Sequence, residues 1–184
     1  MSWDINLFNF IHGLAGWSVL TDALGIFLAK YLPYMLGFAV LVFIANQANL
    51  KEKLMVTFHL VLATLISRGI LTEIIRYFYN RPRPFVVFGF SPLVSSGGAS
   101  FPSGHAAFFF ALGFIIFSFN RKWGYWFLSF ALINGLGRVF VGIHYPSDIL
   151  GGILTGLVAW GIIHLLFRNK KAAVETATGD GASA

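Results

Sequence analysis

Arg76–Pro84 (RYFYNRPRP), Ser100–His105 (SFPSGH) and Arg138–Asp148 (RVFVGIHYPSD) bring arginines, two histidines and a carboxylate to the ends of apolar stretches. Together these residue types could hold a phosphate group, attack its phosphorus and protonate the departing oxygen without a metal. In the third run His144 and Asp148 lie four positions apart, with Pro146 between them, a suitable first turn for a helix. Asp148 can then reach one nitrogen of His144, fix its tautomer and leave the other nitrogen's lone pair free, as a histidine nucleophile requires. Arg138, near the end of the preceding apolar stretch, can aim its guanidinium at the same point. The plainer account makes Asp148 a helix cap and His144 a loop residue. It leaves a buried aspartate and arginine unpartnered at a membrane edge, which is costly.

In the second run Pro102, Ser103 and Gly104 immediately precede an apolar helical stretch. Ser103 suits an N-cap, and Gly104 lets a ligand approach the backbone. The first-turn N–H groups and the positive end of the helix dipole would face an anion there, with His105 beside it. The same residues also make an ordinary helix start, with His105 a polar side chain at an interface. In the first run Arg76 and Arg83 are seven positions apart, about two helical turns, although Pro82 and Pro84 interrupt regular helix. Arginine suits this place because its planar fork pairs two phosphate oxygens at once. Arg81 is expected to face lipid headgroups, with anion binding the alternative, and Glu73 to steady Arg76.

The elements that must position these groups are apolar. The chain of 184 residues is long enough for one domain, is 57% hydrophobic and only 11% charged, and has a mean hydropathy of +0.76. Soluble domains carry about 25% charged residues, so lipid is the expected solvent. The net charge of +6 is scattered over segment ends rather than gathered on one face, which argues against a nucleic-acid partner. With no cysteine there is no disulfide, thiolate metal site or cysteine nucleophile. The opening MSWDINLFNF lacks the basic region and cleavage site of a removable signal peptide.

The fold class expected is all-α: a membrane-embedded bundle of five to six transmembrane helices with an N-terminal interfacial helix. Ile5, Phe8 and Ile11 recur at helical spacing to give that amphipathic helix, with Asp4, Asn6 and Asn9 elsewhere. Spans follow within 18–46 (one tilted helix, or a half-helix and a span from about Leu32), then near 55–79, 105–119, 123–141 and 148–167, mostly close to the ~20 residues a bilayer crossing needs. Residues 1–170 form the membrane domain, and 171–184, rich in Ala, Gly, Thr and Ser, a disordered cytoplasmic tail. Lys51 and Lys53, Arg121 and Lys122, and Arg168, Lys170 and Lys171 fall on one face, which the positive-inside rule makes cytoplasmic. The three polar runs land on the opposite face, where their arginines are excess positive charge unless an anion binds. Arg68, within a span, is expected to pair with Asp22 or Glu73, the alternative being that it lines a polar path to the site. Asn134, one turn before Arg138, is expected to orient it. His12, His59 and His164 read as bundle or interface residues, and Phe85–Gly98, with Phe85, Phe88 and Phe90, as a border of a lipid entrance.

These runs resemble the type 2 phosphatidic acid phosphatase (PAP2) superfamily, whose signature is Lys-x6-Arg-Pro, Pro-Ser-Gly-His and Ser-Arg-x5-His-x3-Asp. Here stand Arg76-x6-Arg83-Pro84, Pro102-Ser103-Gly104-His105 and Gly137-Arg138-x5-His144-x3-Asp148. Arg76 replaces the family lysine, keeping the charge but changing reach, and Gly137 replaces a serine whose hydroxyl is expected to be auxiliary. The resemblance implies that His144 attacks phosphorus to form a phosphohistidine, with Asp148 orienting it. His105 protonates the leaving oxygen and then activates water. Arg76, Arg83 and Arg138, with backbone N–H groups near Ser103 and Gly104, stabilise the phosphoryl oxygens. It implies no cofactor and no metal. The opening FNFIHGLAGWSVLTDALG resembles bacterial undecaprenyl-diphosphatases of the bacitracin-resistance type, which implies a polyprenyl diphosphate substrate at the extracytoplasmic face of the bacterial inner membrane. Phosphatidate or phosphatidylglycerophosphate is the alternative substrate, and a vanadium haloperoxidase-like enzyme or a non-catalytic lipid-binding protein are the remote readings. No oligomeric state follows from the sequence.

Overall fold

The computed structural model describes residues 2–179, with side chains described to Phe167. It is helical throughout, with no strand among the described residues. Among the described residues seven helices follow in order: α1 (Ser2–His12), α2 (Val19–Ala45), α3 (Leu50–Phe78), α4 (Pro84–Phe88), α5 (Gly104–Phe119), α6 (Arg121–Phe140) and α7 (Pro146–Gly179). Three segments among these residues are long and apolar enough to cross a bilayer, Val19–Ala45, Leu50–Phe78 and Pro146–Phe167. The 16-residue α5 is apolar but shorter. The 20-residue α6 is long enough but carries Arg121, Lys122, Asn134 and Arg138. The 18–46 stretch is therefore one helix rather than a half-helix and a span. The division expected at residue 170 falls inside α7, whose backbone is helical to Gly179, and 180–184 lie outside the described residues.

Helix starts follow the local chemistry. Ser18 and Thr21 form a reciprocal capping box on α2, and the side chains of Asn49, Ser103 and Asn120 accept N–H bonds at the starts of α3, α5 and α6. The short α5 is the bundle's axle: Ala106, Ala107, Phe109, Phe110, Ala111, Leu112, Ile115 and Ile116 are all buried. It lies against α7 at Gly152 and Gly156, where an added Cβ would stand 2.5 Å from Ala106 Cβ and 2.8 Å from the Ala111 nitrogen. This is the small-residue approach that brings membrane helices into van der Waals contact.

Two π-helical segments interrupt the long helices, Phe27–Tyr31 in α2 and Leu65–Leu71 in α3. Such widened turns re-aim side chains and expose carbonyls. The first presents the Leu28 and Ala29 carbonyls to α6, and the second contains Ser67 and Arg68. Opposite the first, Gly137 admits the backbone of α2: a Cβ there would lie 2.8 Å from Leu28 Cβ and 3.0 Å from the Ala29 nitrogen. The family serine would clash at this contact, which accounts for glycine at that position.

The N-terminal helix corrects one expectation. Its inward face is Asp4 and Phe8, one turn apart, while Ile5 is 38% exposed. Phe8 stacks on Phe88 and Phe90 at 5.8 and 6.4 Å, and His12 on Phe90 at 4.5 Å. Phe88 and Phe90 thus have protein rings on one side, while Phe88 remains 45% exposed.

Candidate active site

The ends of α3, α5, α6 and α7, with the 79–103 loop, enclose a cavity of about 390 Å³. His105 and His144 both line it, with Arg68, Arg76, Arg83, Arg138, Gly104, and Ser96 and Gly97 of the loop. The expected histidines and arginines, drawn from three separate runs between Arg76 and Asp148, therefore share one space. Ser103 is fully buried just behind it as the α5 N-cap, accepting from the Ala106 N–H at 3.5 Å and donating its own N–H to the Asp148 carbonyl at 2.9 Å.

Asp148 is completely buried and accepts from four directions. Its Oδ1 takes Arg81 Nη1 at 2.8 Å. Its Oδ2 takes the Tyr145 N–H at 2.8 Å, the Ser100 hydroxyl in a short bond, and His144 Nδ1 at 3.3 Å. On the far side of the ring, Arg83 Nη1 lies 3.3 Å from His144 Nε2. A guanidinium can only donate, so Nε2 is the acceptor and Nδ1 carries its hydrogen toward the carboxylate. That tautomer puts the ring's lone pair on Nε2, where it accepts from Arg83 at the cavity wall and becomes available to a ligand that draws the guanidinium away. Burial lowers the His144 pKa, the hydrogen bond to Asp148 raises it, and the Arg138 and Arg83 charges lower it again, leaving it at about 4. The imidazole is thus neutral near neutral pH. His105, one residue into α5, is exposed to the cavity, with Phe109 at 6.2 Å between ring centres.

The arginines divide into held and under-occupied. Arg83 donates to the Gly97, Gly98, Ala99 and Ile143 carbonyls at 2.8 to 3.3 Å, which pins the 96–99 loop over His144. Burial, then the neighbouring Arg76 charge, pull its pKa down to about 10, which still leaves it charged near neutral pH. Arg76 donates Nη2 to the Pro102 carbonyl at 3.0 Å and lies 3.5 Å from Glu73, the steadying contact expected. Arg138 reaches the Ala29 carbonyl at 3.5 Å. Arg76 Nε and Arg138 Nε are buried without a hydrogen-bond partner among the described residues. Buried orphan donors are unfavourable by about 1–3 kcal/mol each, and the oxygens of a bound phosphate would satisfy them.

Several side chains stand elsewhere than expected. Arg81 does not face headgroups: its Nη2 meets Asp4 at 2.7 Å, its Nη1 meets Asp148, and its guanidinium lies 3.8 Å above the Tyr145 ring. Burial opposes its charge, but Asp4 and Asp148 outweigh burial and hold its pKa above the ordinary value. Asn134 does not orient Arg138; it donates to the Leu28 carbonyl at 2.7 Å, on the same π turn that Arg138 reaches. Arg68 pairs with Glu73 and not with Asp22, which caps the Gly16 N–H instead. His12 and His59 bond backbone carbonyls, and His164 stacks on Trp160, all away from the cavity. Three site-supporting residues escaped the sequence reading, Asp4, Ser100 and Ser147, and Arg81 was given another partner. Asp4 accepts the Ser147 N–H at 2.8 Å and hydroxyl at 2.6 Å as well as Arg81. The surplus arginine charge beside the second histidine was the one available signal.

Known proteins share this architecture. The structure of LpxE from Aquifex aeolicus superposes with a TM-score of 0.70 over 88% of this chain and 94% of that one, at 24% identity. The bacitracin transport permease protein BcrC of Bacillus licheniformis is 32% identical over 85% of this chain and 76% of its own length. The undecaprenyl-diphosphatase BcrC of Bacillus subtilis is 30% identical over 84% and 79%. Residues 57–172, which hold every motif above, match the PAP2 superfamily. By that match and the length it covers, the chain belongs to the PAP2 superfamily.

Proposed function

We propose that this protein is a membrane lipid phosphatase that hydrolyses a polyprenyl diphosphate through a phosphohistidine on His144. The observation that carries the reading is the fixed tautomer of His144, held by Asp148 at 3.3 Å with Nε2 presented to a cavity that also contains His105 and four arginines. His144 Nε2 attacks the terminal phosphorus as the bond to the bridging oxygen breaks. His105 delivers a proton to that oxygen, then takes one from the water that cleaves the phosphorus–nitrogen bond. Arg76, Arg83 and Arg138, with the α5 N-terminus at Ser103 and Gly104, neutralise the phosphoryl oxygens, so guanidinium groups supply the charge a metal supplies elsewhere. The polyprenyl assignment is supported by the relatives named undecaprenyl-diphosphatase over most of their length.

The test is phosphate release by purified protein in detergent with EDTA, offered undecaprenyl diphosphate, phosphatidate or phosphatidylglycerophosphate. Undecaprenyl diphosphate is expected to turn over fastest, undiminished by chelator, with His144→Ala inactive. Equal release by wild type and His144→Ala would overturn the enzyme reading, and preference for either glycerolipid would overturn the substrate.

The site is read as facing away from the cytoplasm of a bacterial inner membrane. Helix direction supports this, since the α5 N-terminus and the α6 C-terminus carry the site while Lys51, Arg121 and Lys122 sit at the opposite helix ends. Because the chain has no cysteine, Ser95→Cys and Lys51→Cys variants can be labelled singly. An impermeant maleimide on intact spheroplasts should modify only Ser95→Cys; the reverse pattern would invert the orientation.

A further inference from the structure

We propose that Arg68 is the subsite for the second phosphoryl group of a diphosphate, and so selects diphosphate over monophosphate lipids. This rests on the phosphatase reading above and names the feature that would make it diphosphate-specific. Arg68 is a fourth guanidinium in the cavity, beyond the three that the family resemblance employs. Three observations place it on the leaving-group side. First, it packs against the residue preceding His105: a Cβ on Gly104 would lie 2.6 Å from Arg68 Nε and 3.2 Å from its Cζ. His144, by contrast, is flanked by Arg83 and the Asp148 network.

Second, Arg68 is held without being consumed. Glu73 takes one of its nitrogens, yet its side chain remains 40% exposed, and the π-helical turn of α3 directs it to the cavity. Third, the apolar continuation lies beyond it. A groove of about 250 Å³ between α2, α3 and α5 is lined by Gly37, Val40, Val61, Thr64, Phe108 and Leu112. Phe108 lines both spaces. Thr64 is one turn before Arg68 on α3, and Phe108 is one turn beyond Gly104 on α5. The Thr57 and Thr64 hydroxyls are tied to the Lys53 and Val61 carbonyls, so the groove's hydroxyl donors are occupied within its own wall.

Read in sequence, the molecule presents a nucleophile, a phosphoryl clamp, a general acid beside a further cation, and then a hydrocarbon slot. That is the order of groups along a lipid diphosphate: terminal phosphoryl, bridging oxygen, second phosphoryl, chain. A lipid monophosphate would put a carbon where Arg68 stands and leave that cation without an anionic oxygen.

The experiment compares kcat/KM for farnesyl diphosphate and farnesyl monophosphate, which share one tail, in wild type, Arg68→Gln and Arg68→Gln/Glu73→Gln. Losing a charge-assisted contact should lower the diphosphate-to-monophosphate ratio roughly 10- to 100-fold in Arg68→Gln. The double variant should stay as low, because relieving Glu73 does not restore a missing subsite. Recovery of the ratio in the double variant would mean that Arg68 only neutralises Glu73, and would overturn the proposal. So would an equal loss on both substrates. A wild-type protein inactive on both would instead sink the phosphatase reading itself.

Discussion

The two halves of the cavity are built differently. The His144 half is locked: the ring is 1% exposed and held on both nitrogens, and its carboxylate partner is tied to Arg81, Ser100 and the Tyr145 N–H. The His105 half is open, with an exposed imidazole, a partly exposed Arg68 and Phe108 at the cavity wall. A nucleophile gains from fixed orientation, since its lone pair must meet one phosphorus along one line. A group that serves first as acid and then as base must meet two different oxygens, and looser surroundings suit it.

The contrast can be broken most severely by removing each histidine in turn. His144→Ala should lower turnover roughly 10⁴- to 10⁶-fold and abolish acid-quenched labelling by terminally ³²P-labelled substrate. His105→Asn should lower turnover by about 10² to 10⁴ yet still trap label, because water activation is the slower step without its base. Label on His144→Ala would transfer the nucleophile elsewhere.

A smaller effect is expected from behind the locked half. Asp4→Asn leaves Arg81 shared less evenly and should slow phosphoenzyme formation about tenfold to hundredfold, the usual range for a supporting partner. If Asp4 acts through Asp148, adding Asp4→Asn to Asp148→Asn should change the rate by less than about twofold. Full multiplication of the two losses would make α1 a mere anchor.

The smallest effect is a displaced pH limb. With its pKa held at about 4 rather than 6.5 in the free protein, His144 stays neutral as the medium is acidified, so the second-order rate of labelling at limiting substrate, which reports the free enzyme, should show the His144 limb only near pH 4. The folded state resists a proton that the unfolded chain accepts below 6.5, so this stabilisation is complete above 6.5 and is lost as pH falls toward 4. A labelling limb near 6.5 would mean that the ring is less enclosed than the geometry shows.

Most residues that line the cavity were legible because they sit in compact runs whose spacing fixes which side chains meet. His144 and Asp148 are one turn apart, and Ser103 sits at the α5 start that its type favours. The helical class and the principal long helices were legible from hydropathy. What escaped was the locked half's backing, because it depends on pairs remote in sequence. Asp4 in a short amphipathic helix looks like a solvated face until Ser147 is beside it, 143 positions away. Arg81 looks like a headgroup contact until two carboxylates flank it. Asn134 is one turn from Arg138, but the π turn in α2 draws both to carbonyls that a regular helix would have kept. Gly137 looked like a lost hydroxyl and is instead the space into which α2 fits.

The bond from Asp4 to Ser147 also sets an order of assembly. Asp4, made 143 positions before Ser147, must wait in the bilayer until α7 has been synthesised. Until then Asp148 lacks its outer brace and the nucleophile its alignment. A nascent or truncated chain would therefore sit in the membrane beside its lipids with the chemistry still switched off, and hydrolysis would begin only once the chain's two distant regions had found each other.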